Sequence, residues 1–375
     1  MSTYVDIHII QNLPPSCVNR DDSGSPKSAV YGGVRRLRVS SQSWKRATRL
    51  YFNSLLDAKE VGVRTKRVVE LLATRIAEDA PDLAENATRL AEDVFKAAKI
   101  KLAPPRGKKD ATPESGYLLF LSTSQVARLA ELAIASARSG EALVARAVKK
   151  IVQETHAVDI ALFGRMVADD TDLNVDAACQ VAHAISTHAA ENEYDFFTAV
   201  DDEKSRSEEE DAGAGMMGTI EFSSATMYRY ATINVDMLRH NLGNGEAALR
   251  ALEVFIRGFC LSMPTGKQNT FANRTVPEAV VVAVREDQPV SLAGAFEEAV
   301  PAMGAHGYVD RSVKALARHA ATIEDSYGLT PLRSFVVALT DSDAVASLGE
   351  RVSFKDLPEQ VRSVMAPRLP GQERA

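Results

Sequence analysis

The chain has 375 residues, 45 % of them hydrophobic, with 44 basic and 50 acidic side chains. That is enough apolar material for one large or two ordinary folded domains, and it excludes a disordered chain. No apolar run approaches the roughly 18 to 20 residues that a bilayer span requires, and the N-terminus opens on strand-like alternation instead of a basic and then apolar leader, so a cytoplasmic protein is expected.

Residues 3–10 alternate, with Val5, Ile7 and Ile9 on one side and Asp6 and His8 on the other, as in a strand with one buried face; His8 is expected to be exposed. The next segment, Ser16 to Tyr51, carries the most unusual charge. From Arg20 to Arg49 there are eight basic residues against Asp21 and Asp22, a net +6, whereas the remaining chain is at −12. A positive island on a negative body points to a local polyanionic partner such as nucleic acid; an ordinary solvated charge run is the alternative.

Leu37 to Val39 reads as a strand, and Ser40, Ser41 and Ser43 are N-cap candidates for a helix. Its apolar face would be Trp44, Ala47, Thr48, Tyr51 and Leu55, and its other face Lys45, Arg46, Arg49 and Asn53. Cations in a first turn oppose the helix dipole, and Lys45 with Arg49 is a like-charge i,i+4 pair, so the arrangement makes sense where an anion sits. Hydroxyls, backbone N–H groups and flanking cations there would form a phosphate cradle, with Gly32 and Gly33 allowing close approach or simply making a turn.

Residues 60–152 turn to Ala, Leu, Glu, Arg and Lys in helical periods, interrupted at Pro81 and at the polar stretch 104–110, which predicts a helical insertion with an exposed loop. Lys108, Lys109, Arg138, Arg146, Lys149 and Lys150 there are candidates for guiding DNA by phosphate contacts, with helix-surface charge offset by Glu131, Glu141 and Glu154 as the alternative. A further helix is expected over 173–190. His183 and His188 are five apart, which does not match a zinc-binding i,i+4 pair, so they and His156 are read as structural.

Residues 201–217 hold seven acids, two cations and a Gly/Ala/Met tip between two apolar segments, which reads as the end of a hairpin with stems 196–200 and 218–222. Beyond it the pattern predicts a strand at 226–236, a helix at 246–262, a strand at 279–285, helices around 291–303 and 309–325, a strand near 334–339, and a polar tail that frays from about 356. The skeleton is that of an α+β protein with a ferredoxin-like sheet enclosing an insertion. Cys17, Cys179 and Cys260 are widely spaced and lack C-x-x-C spacing, so neither a disulfide framework nor a zinc site is indicated; no cofactor is expected.

The run SCVNRDD, then GG-x-RR-x-R-x-SSQS-x-KRA, with DIALFGRM, AHAISTH, FFTAVDD and EFSSATMYRYATIN further on, resembles the CasC family, the guide-RNA-binding backbone subunits of the type I-E CRISPR complex Cascade. The similarity runs in order from residue 3 to about 340. It implies an RRM-like palm at 1–58 and 153–375, a helical fingers insertion at 59–152 and a β-hairpin thumb at 195–225. It also implies copies polymerising along crRNA beside other Cascade subunits, kinking the guide and supporting its pairing with target DNA, without catalysis.

Carried over residue by residue, the implied RNA contacts are Asn19, Arg20, Lys27, Ser40, Gln42, Ser43, Lys45, Arg49, Arg165 and Met166, with Phe197 as an apolar wedge; Lys267 and Gln268 form a further polar patch, read equally as a phosphate site or as a plain surface loop. Core packing is the alternative for Met166 and Phe197. A different class of function, a metal-dependent ribonuclease resembling type III relatives, would use the paired carboxylates Asp21, Asp22, Asp201 and Asp202.

Overall fold

The computed structural model describes residues 2–108, 111–167, 171–199, 216–304 and 306–369. The protein is α+β, and it divides into two compact units. The first comprises residues 1–48, 181–232 and 256–364; the second comprises 49–180, 233–255 and 365–375. The segment 59–152, expected as an insertion, lies within the second unit.

The first unit is built on a large sheet. Among the described residues its strands run in the order Glu350–Arg351, Arg333–Ala338, Ala279–Arg285, Tyr4–Ser16, Met216–Asn234, Ala184–Ser186, Val34–Val39 and Ser28–Tyr31. The first strand pairs antiparallel with Ala279–Arg285 in the register Tyr4↔Arg285 to Ile10↔Ala279. That partner reads AVVVAVR and is buried at every position, as a continuous β-branched run in the middle of a sheet should be. Helix Val309–Tyr327 supplies Val313, Leu316 and Ala317 to the core against Ile10, Val281 and Val336.

Covering the sheet on both sides reverses one expectation: His8 is buried at 1 % exposure. Its Nδ1 lies 2.9 Å from the Tyr228 hydroxyl, and burial lowers its pKa to about 3. Asp6, also buried, accepts from Arg285 Nε at 3.0 Å, from Val290 N at 2.9 Å and from the Tyr230 hydroxyl at 3.0 Å. Alternation marks two faces but cannot say that one is wet; here each polar side chain finds an internal partner.

Other expected elements differ. Residues 173–190 form no long helix but the short strands Cys179–Val181 and Ala184–Ser186, the second pairing with both Val34–Val39 and Met216–Asn234. A short apolar run fits either period, and two waiting strand partners decide it. The helix expected near 291–303 is a single 3-10 turn, Ala293–Phe296. The tail does not fray at 356: helix Leu357–Met365 follows, with Leu357, Val361 and Met365 fully buried at i,i+4 spacing.

The second unit is helical, its core formed by Val68, Leu72 and Ile76 of Val68–Asp79, Leu90 and Val94 of Ala87–Ala97, Leu129 and Ala133 of Thr123–Ser139, and Val148 and Val152 of Ala145–Gln153. Thr123–Ser139 is bounded on both sides by local chemistry. Ser122 and Gln125 form a reciprocal capping box, and Gly140 takes the left-handed conformation (φ 73°) that ends the helix.

Candidate nucleic-acid interface

In the first unit the chain folds the basic segment back on itself around Asn19. The Asn19 side-chain oxygen accepts from Ser40 N at 2.8 Å, its carbonyl accepts from Lys27 N at 2.9 Å, and Lys27 O accepts from Arg38 N at 2.8 Å. Those bonds bring Lys27 and Arg38 to the start of helix Ser41–Phe52. Ser40 caps that helix, its hydroxyl accepting from Ser43 N at 3.3 Å, so part of the expected cradle is already used internally. Gln42 is exposed, and Ser43 and Lys45 are half-buried.

His183 belongs to this cluster, which sequence reasoning missed. Its Nδ1 accepts from Ser41 N at 3.2 Å and lies 3.3 Å from Arg38 Nη1. Desolvation, with the charges of Arg38 and Lys27, lowers its pKa, so the ring stays neutral and adds no charge to the site. The sequence signal is its place in the AHAISTH string; the two-residue link between strands Cys179–Val181 and Ala184–Ser186 that presents it falls in a segment expected as helix.

Lys267 and Arg20 join from another direction. Their charges both act on the Cys17 thiol, although burial outweighs them and raises its pKa. The loop holding Lys267 packs so tightly that a Cβ on Gly266 would lie 2.3 Å from the Val18 carbonyl oxygen. Arg20 is exposed, and no ion pair to Arg20, Lys27, Arg35 or Arg38 exists among the described residues. Asp21 is not a vacant ligand: its Oδ1 accepts from Ser23 N, the Ser23 hydroxyl and Ser25 N at 2.9, 2.6 and 3.1 Å. Among the described residues no cluster of metal-ligating side chains occurs, and Asp201 and Asp202 lie outside them.

Arg36, in the same basic run, points inward. It is fully buried and donates to the carbonyls of Tyr31, Ser186, Phe296 and Glu297 at 3.1, 3.1, 2.8 and 3.3 Å. Gly32 permits this approach, since its φ is +59° and a Cβ there would meet the Glu297 carbonyl oxygen at 1.6 Å.

The hairpin pairs Glu193–Ala199 with Met216–Asn234 in the register Glu193↔Phe222 to Ala199↔Met216. Phe197 is half-buried and covers its partner Gly218, where a Cβ would come within 2.6 Å of the ring. The exposed apolar side chains are instead Tyr194 (68 %), Phe196 (64 %) and Met217 (62 %), all on the opposite face of the hairpin. The acidic stretch 201–215, with Lys204 and Arg206, lies outside the described residues.

In the second unit Arg165 is buried and used internally. Its Nε donates to Leu173 O at 2.6 Å, Nη1 to Phe120 O at 3.1 Å and Nη2 to Val152 O at 2.9 Å, which leaves it unavailable to phosphate. What it does is anchor the loop that presents Met166, which is 85 % exposed and so not core packing. Arg49 lies over the Phe120 ring at 5.3 Å and near the buried Asp159, whose pKa burial raises to about 6.

The helical cations are largely matched by acids. Arg138 pairs with Asp82 at 3.1 Å, Lys149 with Asp172 at 3.1 Å, and Lys150 with Glu154 at 3.9 Å. Arg146 is exposed, Lys108 lines an open groove of about 780 Å³ with Arg67, Arg106, Glu70 and Glu114, and Lys109 lies outside the described residues.

Among the described residues no helix is long and apolar enough to cross a membrane. A family model described as CT1975-like protein matches residues 5–360. One solved chain, from a "CRISPR RNA-guided surveillance complex, pre-nicking", is 37 % identical, superposes with a TM-score of 0.85, and the match covers 97 % of this chain and 100 % of that one. Another, from a "CRISPR RNA-guided surveillance complex", is 30 % identical with a TM-score of 0.76, covering 96 % and 99 %. A search of curated protein sequences gave no match. With the family model spanning nearly the whole length, the chain belongs to the CT1975-like, CasC-like family.

Proposed function

We propose that this subunit grips the phosphate backbone of a CRISPR guide RNA, as in type I-E complexes, and polymerises along it in the cytoplasm, with no catalytic role. The observation that carries this reading is the pair Lys27 and Arg38 held beside a capped helix start in the first unit, with Arg20 and Lys267 both acting at Cys17; none of the four forms an ion pair among the described residues, although Asp21 and Glu221 lie near the last two. Cations held this way meet phosphate wherever the guide passes and read no base identity. In this reading the sheet unit is the RRM-like palm, 59–152 the fingers and 195–225 the thumb. The hairpin's exposed Tyr194, Phe196 and Met217 then offer apolar surface to bases unstacked at the guide's kinks while it pairs with target DNA.

The test is a gel shift of the purified chain on guide-length RNA at low and high salt, with and without Mg²⁺. A salt-sensitive, cooperative ladder with intact RNA is expected. RNA shortened only in Mg²⁺ would replace this reading with a nuclease, and one protein per RNA at every length would replace it with a stand-alone binder.

A further inference from the structure

Beneath helix Ser41–Phe52 lies a cation with no acidic partner among the described residues. Arg229 is 1 % exposed, and its guanidinium sits between two rings, 3.6 Å from the Trp44 centroid and 4.6 Å from that of Phe259. It donates to the Gln11 side-chain oxygen and to the Phe259 carbonyl, both neutral. No carboxylate pairs with it among the described residues; its neighbour Cys260 is a neutral thiol, pushed up to about 12 by burial. Two polar atoms at the stack, Arg229 Nε and Trp44 Nε1, are buried without a hydrogen-bond partner.

A buried guanidinium without a carboxylate carries a desolvation cost that two neutral acceptors and two aromatic rings offset only in part. The cost is explicable if the charge works on something outside. Trp44, the ring it stacks on, directly precedes Lys45 and is the first apolar contact of the helix expected to meet phosphate. Further along the same face, Thr48 Oγ1 lies 3.3 Å from Ser262 Oγ. The guanidinium is thus about one helix diameter, roughly 10 Å, from an anion on the helix's outer surface. Across low-dielectric protein that separation is poorly screened.

We infer that Arg229 is a positioning residue for RNA, fixing the helix through Trp44 and adding a permanent positive charge behind its phosphate-binding surface. This rests on the guide-RNA reading above. It predicts a dissociation of two quantities that direct contacts link: removing Arg229 lowers affinity, but because no phosphate contact is lost the salt slope stays the same.

The experiment measures binding of fluorescein-labelled, guide-length single-stranded RNA across a salt series, with melting temperature in parallel, for wild type, Arg229→Lys, Arg229→Met and Lys45→Ala. For Arg229→Met the expected result is a folded protein with a melting temperature below wild type, since Gln11 Oε1 and the Phe259 carbonyl lose their donor, together with a Kd weaker by about ten-fold and an unchanged slope. Arg229→Lys should stay within about two-fold of wild type, and Lys45→Ala should lower the slope by about 0.7. Arg229→Met binding RNA as wild type does would overturn the inference. Should Met prevent folding, Arg229→Gln carries the same test, and failure of both neutral variants to fold while Lys folds would make Arg229 a structural tie and overturn it equally. Absence of RNA binding by wild type would sink the guide-RNA reading itself, and the inference with it.

Discussion

The basic segment of the sheet unit and the basic helices of the second unit carry similar side chains but spend them differently. On the helices, cations sit three or four residues from acids or meet them across the surface: Arg67 with Glu70, Arg75 with Asp79, Lys96 with Glu92, Arg138 with Asp82. In the 16–40 region the inward arginine, Arg36, is bonded to four carbonyls, and the outward Arg20, Lys27 and Arg38 have no ion pair among the described residues. Positive charge left unneutralised at fixed positions attracts a polyanion; positive charge matched by a neighbour mostly solubilises.

The largest effect should come from the inward arginine. Arg36→Ala orphans several buried carbonyls and opens a cavity, and is expected to cost about 3 to 5 kcal/mol by denaturant titration. A loss below about 1 kcal/mol would show that those bonds are replaceable and blur the inward–outward distinction.

Next comes pH. The folded chain keeps His8 neutral, with its pKa lowered to about 3, whereas the unfolded chain protonates it near 6.5. The stability this difference supplies is present above pH 6.5 and drains away as pH falls towards 3. His8→Asn should therefore flatten the fall in melting temperature between pH 6.5 and 4; an equally steep fall would mean other groups drive acid unfolding. Asp159 acts oppositely. Raised to about 6, it penalises the folded state above that pH, so Asp159→Asn should gain stability at pH 7 relative to pH 4.5.

The comparison is sharpest in RNA binding. Replacing Arg20, Lys27 and Arg38 together by Ala should reduce the salt slope by about two units, for every guide sequence alike. The triple replacement of Arg138, Lys149 and Lys150 should change it by under about half a unit. Equal losses would break the contrast, and a selective loss of duplex DNA binding in the second variant would give those cations the DNA role their sequence suggested. Smallest of all, Arg138→Ala should shift stability by less than about 1 kcal/mol, since its partner Asp82 is exposed.

How far the site could be read from the chain depended on the residue. Asn19, Lys27 and Ser40 are contacts the resemblance implies, and the fold joins them by hydrogen bonds; His183 reads as structural from its five-residue spacing to His188, yet it accepts from Ser41 N at the helix start. Arg165 is a contact the resemblance implies and Arg36 counts in the positive island, yet both guanidinium groups turn inward to carbonyls that come from residues up to 261 positions away. Phe197 and Phe196 are neighbours in FFTAV, but strand alternation sends one over Gly218 and the other to solvent, so the register decides which ring is available.

By itself the sequence determined the positive island, the strands at 3–10 and 279–285, the helix that Ser40 caps and the family, because these rest on local composition, period and order along the chain. Only the tertiary structure decided which faces are buried, which short apolar runs become strands and which cations stay unpaired. Those outcomes depend on partners supplied by distant segments, and no local pattern carries that information.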